Sequence, residues 1–126
     1  MNIYLIIRRN ILKIIYSVLI VLVFVVIGCT SSQFATYRPS GSTDANWQIN
    51  VYHTGGMTQN FKVVINDSTV IDQGANFFTG NMEEKGNYQG KEVKLMVSYS
   101  AGFLGIGSGY TAMVFINNEL AGKFKF

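Results

Sequence analysis

The chain has 126 residues, a formal charge of +3 and one cysteine. Arg8, Arg9 and Lys13 supply the whole charge excess, so the charges after Cys29 cancel and nucleic-acid binding loses its usual basic footprint. One cysteine and one histidine, Cys29 and His53, exclude a disulfide framework and a zinc-type ligand set, and no motif marks a cofactor.

The chain opens on the basic residues Arg8, Arg9 and Lys13, with no acidic residue among them. An apolar run, Ile14 to Ile27, follows. Basic then apolar is the order of a secretory signal peptide. As a helix the run reaches roughly 21 Å, against roughly 30 Å of hydrocarbon core. It is short for a permanent span.

The run ends on Val26-Ile27-Gly28-Cys29, which holds the chain's one thiol. These four residues resemble the lipobox of bacterial lipoproteins. The resemblance covers residues 1–29 and implies that the Cys29 thiol takes a diacylglycerol. It further implies cleavage between Gly28 and Cys29, with acylation, typically palmitate, on the new amine. Gly28 is the small residue such a cut needs, and Ile27 stands where that family often has Ala or Ser. Thr30 after the lipidated residue is compatible with outer-membrane sorting in a Gram-negative envelope. The alternative is an uncleaved signal anchor with Cys29 as a buried thiol. One acyl chain of about 14 carbons holds a protein marginally and several hold it firmly.

Thr30 to Asn46 is rich in Ser, Thr and Gly and contains the one proline, Pro39. It reads as a flexible tether that would hold the domain roughly 20–25 Å from the bilayer. Phe34, Tyr37 and Arg38 offer another reading, in which part of it lies against the domain or the headgroups. The expected division is a signal peptide at 1–28, an acylated cysteine with tether at 29–46, and a β-domain at 47–126.

From Trp47 onward apolar residues recur every second position. Trp47, Ile49, Val51 and His53 form one face of a strand, and Phe61, Val63 and Ile65 form another. Val93, Leu95, Val97 and Tyr99, then Tyr110, Ala112, Val114 and Ile116, then Leu120, Gly122, Phe124 and Phe126 repeat the pattern. These are half-buried strands. Asn66-Asp67-Ser68 and Asn117-Asn118 sit where tight hairpins need positive φ. No helix is expected after Cys29. The fold class is all-β, a small antiparallel sandwich or barrel. Lys62–Val70 echoes Met113–Leu120, each an apolar strand, an Asn-rich turn and a returning strand.

Four stretches invite a chemical reading. Gly102 to Tyr110 is the most unusual stretch. Within it Gly105-Ile106-Gly107-Ser108-Gly109 superficially resembles a phosphate-cradling loop, but the following residues are strand-like and the lysine such loops use is missing. The plainer expectation is a hairpin or bulged edge with its apolar residues folded inward. The other is a contact loop in which Phe103, Leu104 and Ile106 touch lipid or a partner. Glu83-Glu84, in a polar stretch ending at Glu92, reads as a solvated hairpin tip, since acid–base work needs a cleft and a perturbed environment. His53 reads as a packed or edge histidine that would become a base only beside a carboxylate. Trp47, Tyr52, Tyr88, Tyr99 and Tyr110 would bind glycan if they formed a coplanar surface row, although strand aromatics usually fill cores.

These readings point to a lipid-anchored envelope protein with a non-enzymatic β-domain. That domain would act as an interaction or structural module for an envelope protein partner. The alternatives are an envelope glycan-binding module and an inhibitor of a cell-wall hydrolase.

Overall fold

The computed structural model describes residues 3–25, 29–41, 43, 45–56, 58–75, 81–104 and 106–126. Helix α1 spans Ile3–Val25. Its apolar half is preceded by Arg8, Arg9 and Lys13, and among the described residues no helix is long and apolar enough to cross a membrane.

Among the described residues eight strands follow: β1 (Thr30–Tyr37), β2 (Trp47–Thr54), β3 (Gln59–Ile65), β4 (Ser68–Ala75), β5 (Met82–Tyr88), β6 (Lys91–Ser100), β7 (Gly109–Ile116) and β8 (Glu119–Lys125). They form two four-stranded antiparallel sheets in the orders β1-β2-β3-β4 and β5-β6-β7-β8. This is the small all-β sandwich that the period-two pattern implies. The inner faces bring together Ile49, Val51, Phe61, Val63 and Ile65 from the first sheet with Val93, Leu95, Val114, Ile116 and Phe124 from the second. Each of these ten is at most 2% exposed.

The expected tether is corrected in part. Thr30–Tyr37 is a strand paired along its whole length with β2, from Thr30↔Thr54 to Tyr37↔Trp47. The sheet therefore begins at Thr30 rather than Trp47. The sequence hides β1 because it is an edge strand whose residues are mostly Ser, Thr and Gln. Its inward side is carried by Ala35 and the buried Tyr37.

The echo between Lys62–Val70 and Met113–Leu120 extends to the whole architecture. The two sheets repeat each other strand by strand. In the first, Ile49↔Ile65 and Thr54↔Asn60 fix the β2–β3 register. In the second, Val93↔Ile116 and Ser98↔Thr111 fix the β6–β7 register in the same way. The bulges match as well: Val63↔Ile71 is followed by Val64↔Thr69, and Val114↔Gly122 by Phe115↔Leu120.

The turn residues explain the match. Asn66 and Asp67 have φ of 46° and 66°, and Asn117 and Asn118 have 49° and 65°. Two successive positive φ values make a type I′ hairpin, whose twist suits the strands it joins. Each leading asparagine also caps its neighbouring strand. Asn66 Oδ1 accepts from the Gln48 N–H at 2.9 Å, and Asn117 Oδ1 accepts from the Glu92 N–H at 3.0 Å. Gln89 and Gly90 make a third turn of this kind, with φ of 50° and 76°.

The sheets meet along two seams, β4 beside β5 and β1 beside β8. At the first, a Cβ on Gly86 would lie 2.6 Å from the Val70 carbonyl oxygen, so β5 presses directly on β4. At the second, the Gln33 side chain imitates a peptide group. Its amide donates to the Lys125 carbonyl, and its oxygen accepts from the Lys125 N–H at 3.2 Å. Glu119 closes the far end of that seam, accepting from Tyr37 Oη at 2.9 Å and Ser40 Oγ at 2.7 Å. Side chains thus occupy backbone edges that would otherwise invite another strand.

This seam carries a pH signature. The Ser40 and then the Tyr37 hydrogen bonds hold the Glu119 carboxyl below its usual range. Burial, then the bond and charge of Glu119, push Tyr37 up. A lowered carboxylate stabilises the fold above its unfolded pKa, near 4.3, and stops doing so as pH falls through the folded value. The stability gap between wild type and Glu119→Gln is therefore expected to be constant from pH 6 to 8 and to close below about pH 4. Thermal melts across that range check it, and a gap unchanged at pH 3 would contradict it.

Candidate functional site

The strand directions place several segments at one end of the sandwich. The β2–β3 and β6–β7 connections turn there, and the described chain enters there at Cys29 and leaves at Phe126. The β1–β2 loop and the three type I′ turns lie at the opposite end.

Cys29 is an exposed free thiol one residue before β1. Its carbonyl accepts from the Gly55 N–H at 3.0 Å, so it is tied to the β2–β3 connection. Four residues separate α1 from β1, and Gly28, the other residue of the expected cut, lies outside the described residues.

The β6–β7 loop projects from the same end. Phe103, Leu104 and Ile106 are 85%, 84% and 80% exposed. This overturns the inward-folded expectation and leaves the contact-loop one. The loop is nonetheless built. Phe103 and Ile106 form an antiparallel bridge, with the Ile106 N–H donating to the Phe103 carbonyl at 3.1 Å. A Cβ on Gly102 would fall 1.8 Å from the Ile106 carbonyl oxygen, so the backbone folds onto a glycine there. Leu104 takes φ of 54°, an uncommon conformation for a branched residue. Backbone contacts fill the loop's interior and its apolar side chains point out. The loop then runs into strand β7, not a helix, so it lacks the element a phosphate cradle needs.

His53 lies beneath this end among aromatic rings. It stacks on Phe61 at 4.7 Å and sits 5.3 Å from Tyr110 and 5.4 Å from Phe126. Its Nε2 donates to Gln59 Oε1 at 2.5 Å. Among the described residues the one ion pair is Lys85–Glu92, so no carboxylate in that set pairs with His53. The arrangement is that of a packed histidine held by an amide.

The remaining candidates are dispersed. Glu83 and Glu84 are neighbours within β5, so they point to opposite faces of the strand. Their segment is mostly strand, and the hairpin tip is only Gln89-Gly90. The aromatics make no coplanar row. Trp47 is in the core, and Tyr88 meets it edge-on at 88°. Tyr52 lies under Lys62, while Tyr99 pairs with Tyr110 at the base of the β6–β7 loop. Among the described residues no three metal-ligating side chains gather. A shallow groove of about 340 Å³ beside β5 and β6 is lined mainly by Met82, Met96, Met113 and Glu83, with no second titratable group.

Sequence reasoning missed Gly102 and the Tyr99–Tyr110 pair as the support of the exposed loop. The glycine was visible, but its close contact with Ile106 depends on how the loop closes.

These features define a small β-sandwich of two matching meanders with an apolar loop at the same end as Cys29. Comparison with protein-family models, with characterised proteins and with solved structures found no match to this chain.

Proposed function

We propose that the chain is a lipid-anchored lipoprotein of the bacterial cell envelope. Its β-domain acts as a non-enzymatic interaction or structural module at the membrane surface, the outer membrane facing the periplasm if the envelope is Gram-negative. One observation carries this reading. The chain's sole cysteine ends the basic-apolar leader and is an exposed thiol one residue before the fold begins.

That position suits the chemistry. Acylation needs an accessible thiol, and cleavage before Cys29 would remove α1 without taking a residue from β1. A buried or strand-embedded cysteine would meet neither need. The absence of a long linker also matters. With Thr30 already in the sheet, the lipid would hold the domain against the bilayer and not at the end of a flexible arm.

Growth with a clickable fatty acid tests the reading. Wild type is expected to take up label, and Cys29→Ala is expected to lose it and to accumulate as the uncleaved chain with residues 1–28 attached. Unlabelled wild type, or label that survives Cys29→Ala, would reject it.

A further inference from the structure

We propose that the β6–β7 loop inserts Phe103, Leu104 and Ile106 into the same lipid leaflet that anchors the chain, so that the domain stands on the bilayer by this end. The proposal rests on the membrane-anchored reading above and adds an orientation and a second contact.

Three observations converge. The first is position. Thr30 pairs with Thr54, and Thr54 pairs with Asn60 as Ser98 pairs with Thr111 in the repeated sheet. Ser98 is therefore the level of Thr30 on the second sheet. Phe103 comes after that level and beyond the end of β6 at Ser100. At about 3.3 Å per residue the loop overhangs the anchor by at most roughly 15 Å, enough to pass the headgroups, since interfacial segments bury about 5–10 Å deep.

The second is charge. Residues 29–37, 53–61, 73–82 and 95–118 contain no Asp, Glu, Lys or Arg. These stretches hold Cys29 and the β2–β3 and β6–β7 connections, and 73–82 joins the ends of β4 and β5. The opposite end carries Arg38, Asp67, Lys91, Glu92 and Glu119. The exception at the loop's end is Lys125, exposed and paired with Thr111 at the Ser98 level, whose long stem lets its cation reach the headgroups. Approaching lipid by this end therefore desolvates few ionised groups, which is the main obstacle to such contact.

The third is construction. The tip is a closed backbone turn on Gly102 that displays three large apolar side chains outward. Exposing them in water gains nothing for the fold. Tyr99, 45% exposed, stands at the loop's base against Tyr110. A ring with an apolar body and a polar tip suits the headgroup level.

The test uses the full chain, isolated from cells and placed in vesicles of phosphatidylethanolamine and phosphatidylglycerol. A solvatochromic fluorescent residue replaces Phe103 or, separately, Leu104, and in a control Arg38 at the far end. At both loop positions the expected result is a blue-shifted emission that acyl-chain doxyl lipids quench and aqueous iodide does not. At Arg38 the pattern is expected to reverse. Iodide quenching without lipid quenching at the loop would overturn the proposal. Shielding from both quenchers would also overturn it, because a second copy of the chain would then cover the loop. Fatty-acid label on the same sample is read separately. Lipid-quenched probes on unlabelled protein would sink the lipoprotein reading alone, with α1 as the anchor. Iodide-quenched probes on labelled protein would sink the loop proposal alone.

Discussion

Replacing Phe61 by alanine is expected to destabilise the domain by about 3–5 kcal/mol, the range for emptying an aromatic site in a core. Phe61 is fully buried. Its ring stacks under His53 and meets Tyr110 at 5.5 Å and Phe126 at 6.2 Å. The repeated architecture makes this position unforgiving. Phe61 follows Asn60, which pairs with Thr54, and Ala112 follows Thr111, which pairs with Ser98. The second sheet therefore already carries a small residue at the matching place. Phe61→Ala would leave small residues at both places and free the His53 ring on one side. A domain of this size holds a margin of about 5–15 kcal/mol, so the loss is a large part of the total. Urea titration checks it, and a loss below about 1 kcal/mol would show that the surrounding rings collapse into the space.

The second large effect is expected at Gly86. Besides its 2.6 Å approach to the Val70 carbonyl, a Cβ there would sit 2.8 Å from Val70 Cγ1 and 3.1 Å from Ile71 Cγ1. A side chain could form only if β5 moved away from β4, which opens one of the two seams. Gly86→Val is expected to lose about 3 kcal/mol, at the upper end of typical overpacking costs. Gly74→Ala is the control, because its Cβ would find only the Gln59 carbonyl at 3.6 Å. It lies in the same edge strand as Val70 and is expected to be neutral or to gain a few tenths of a kcal/mol from a less flexible unfolded chain. Thermal melts of the pair decide the matter. Equal melting temperatures for the two variants would mean that the β4–β5 seam is not closely packed.

The central strands were legible because their residues alternate. Ile49, Val51, Phe61, Val63, Val93, Leu95, Val114 and Ile116 recur at period two, and all are buried. Asn66-Asp67 and Asn117-Asn118 declared two of the turns, because few residues other than glycine accept positive φ as readily as Asn and Asp. The edges were not legible. In β1 and β5 the large inward residues stand only at strand ends, Tyr37, Met82 and Tyr88, while the inward positions between them are small or polar, Gln33, Ala35, Glu84 and Gly86. Their sequences resemble loops for that reason. The loop at 102–109 was recognisable as unusual, yet its letters fit an inward or an outward fold equally. The Gly102–Ile106 contact decides between them, and that is a property of closed geometry. The uncharged stretches could be read from the sequence, but only the topology gathers them at one end. Cys29 was the reverse case: its chemistry was readable from the leader, and the fold contributes its exposure and its place one residue before β1.

The most direct measurement is the intact mass of the full chain purified from envelope membranes, with tandem fragmentation of its N-terminal peptide. A lipoprotein standing on its anchor is expected to begin at Cys29, with a diacylglycerol on Sγ and an acyl group on the new amine. A chain that begins at Met1, or a Cys29 found as an unmodified thiol, would contradict the proposed anchoring and with it the membrane-surface role of the β-domain.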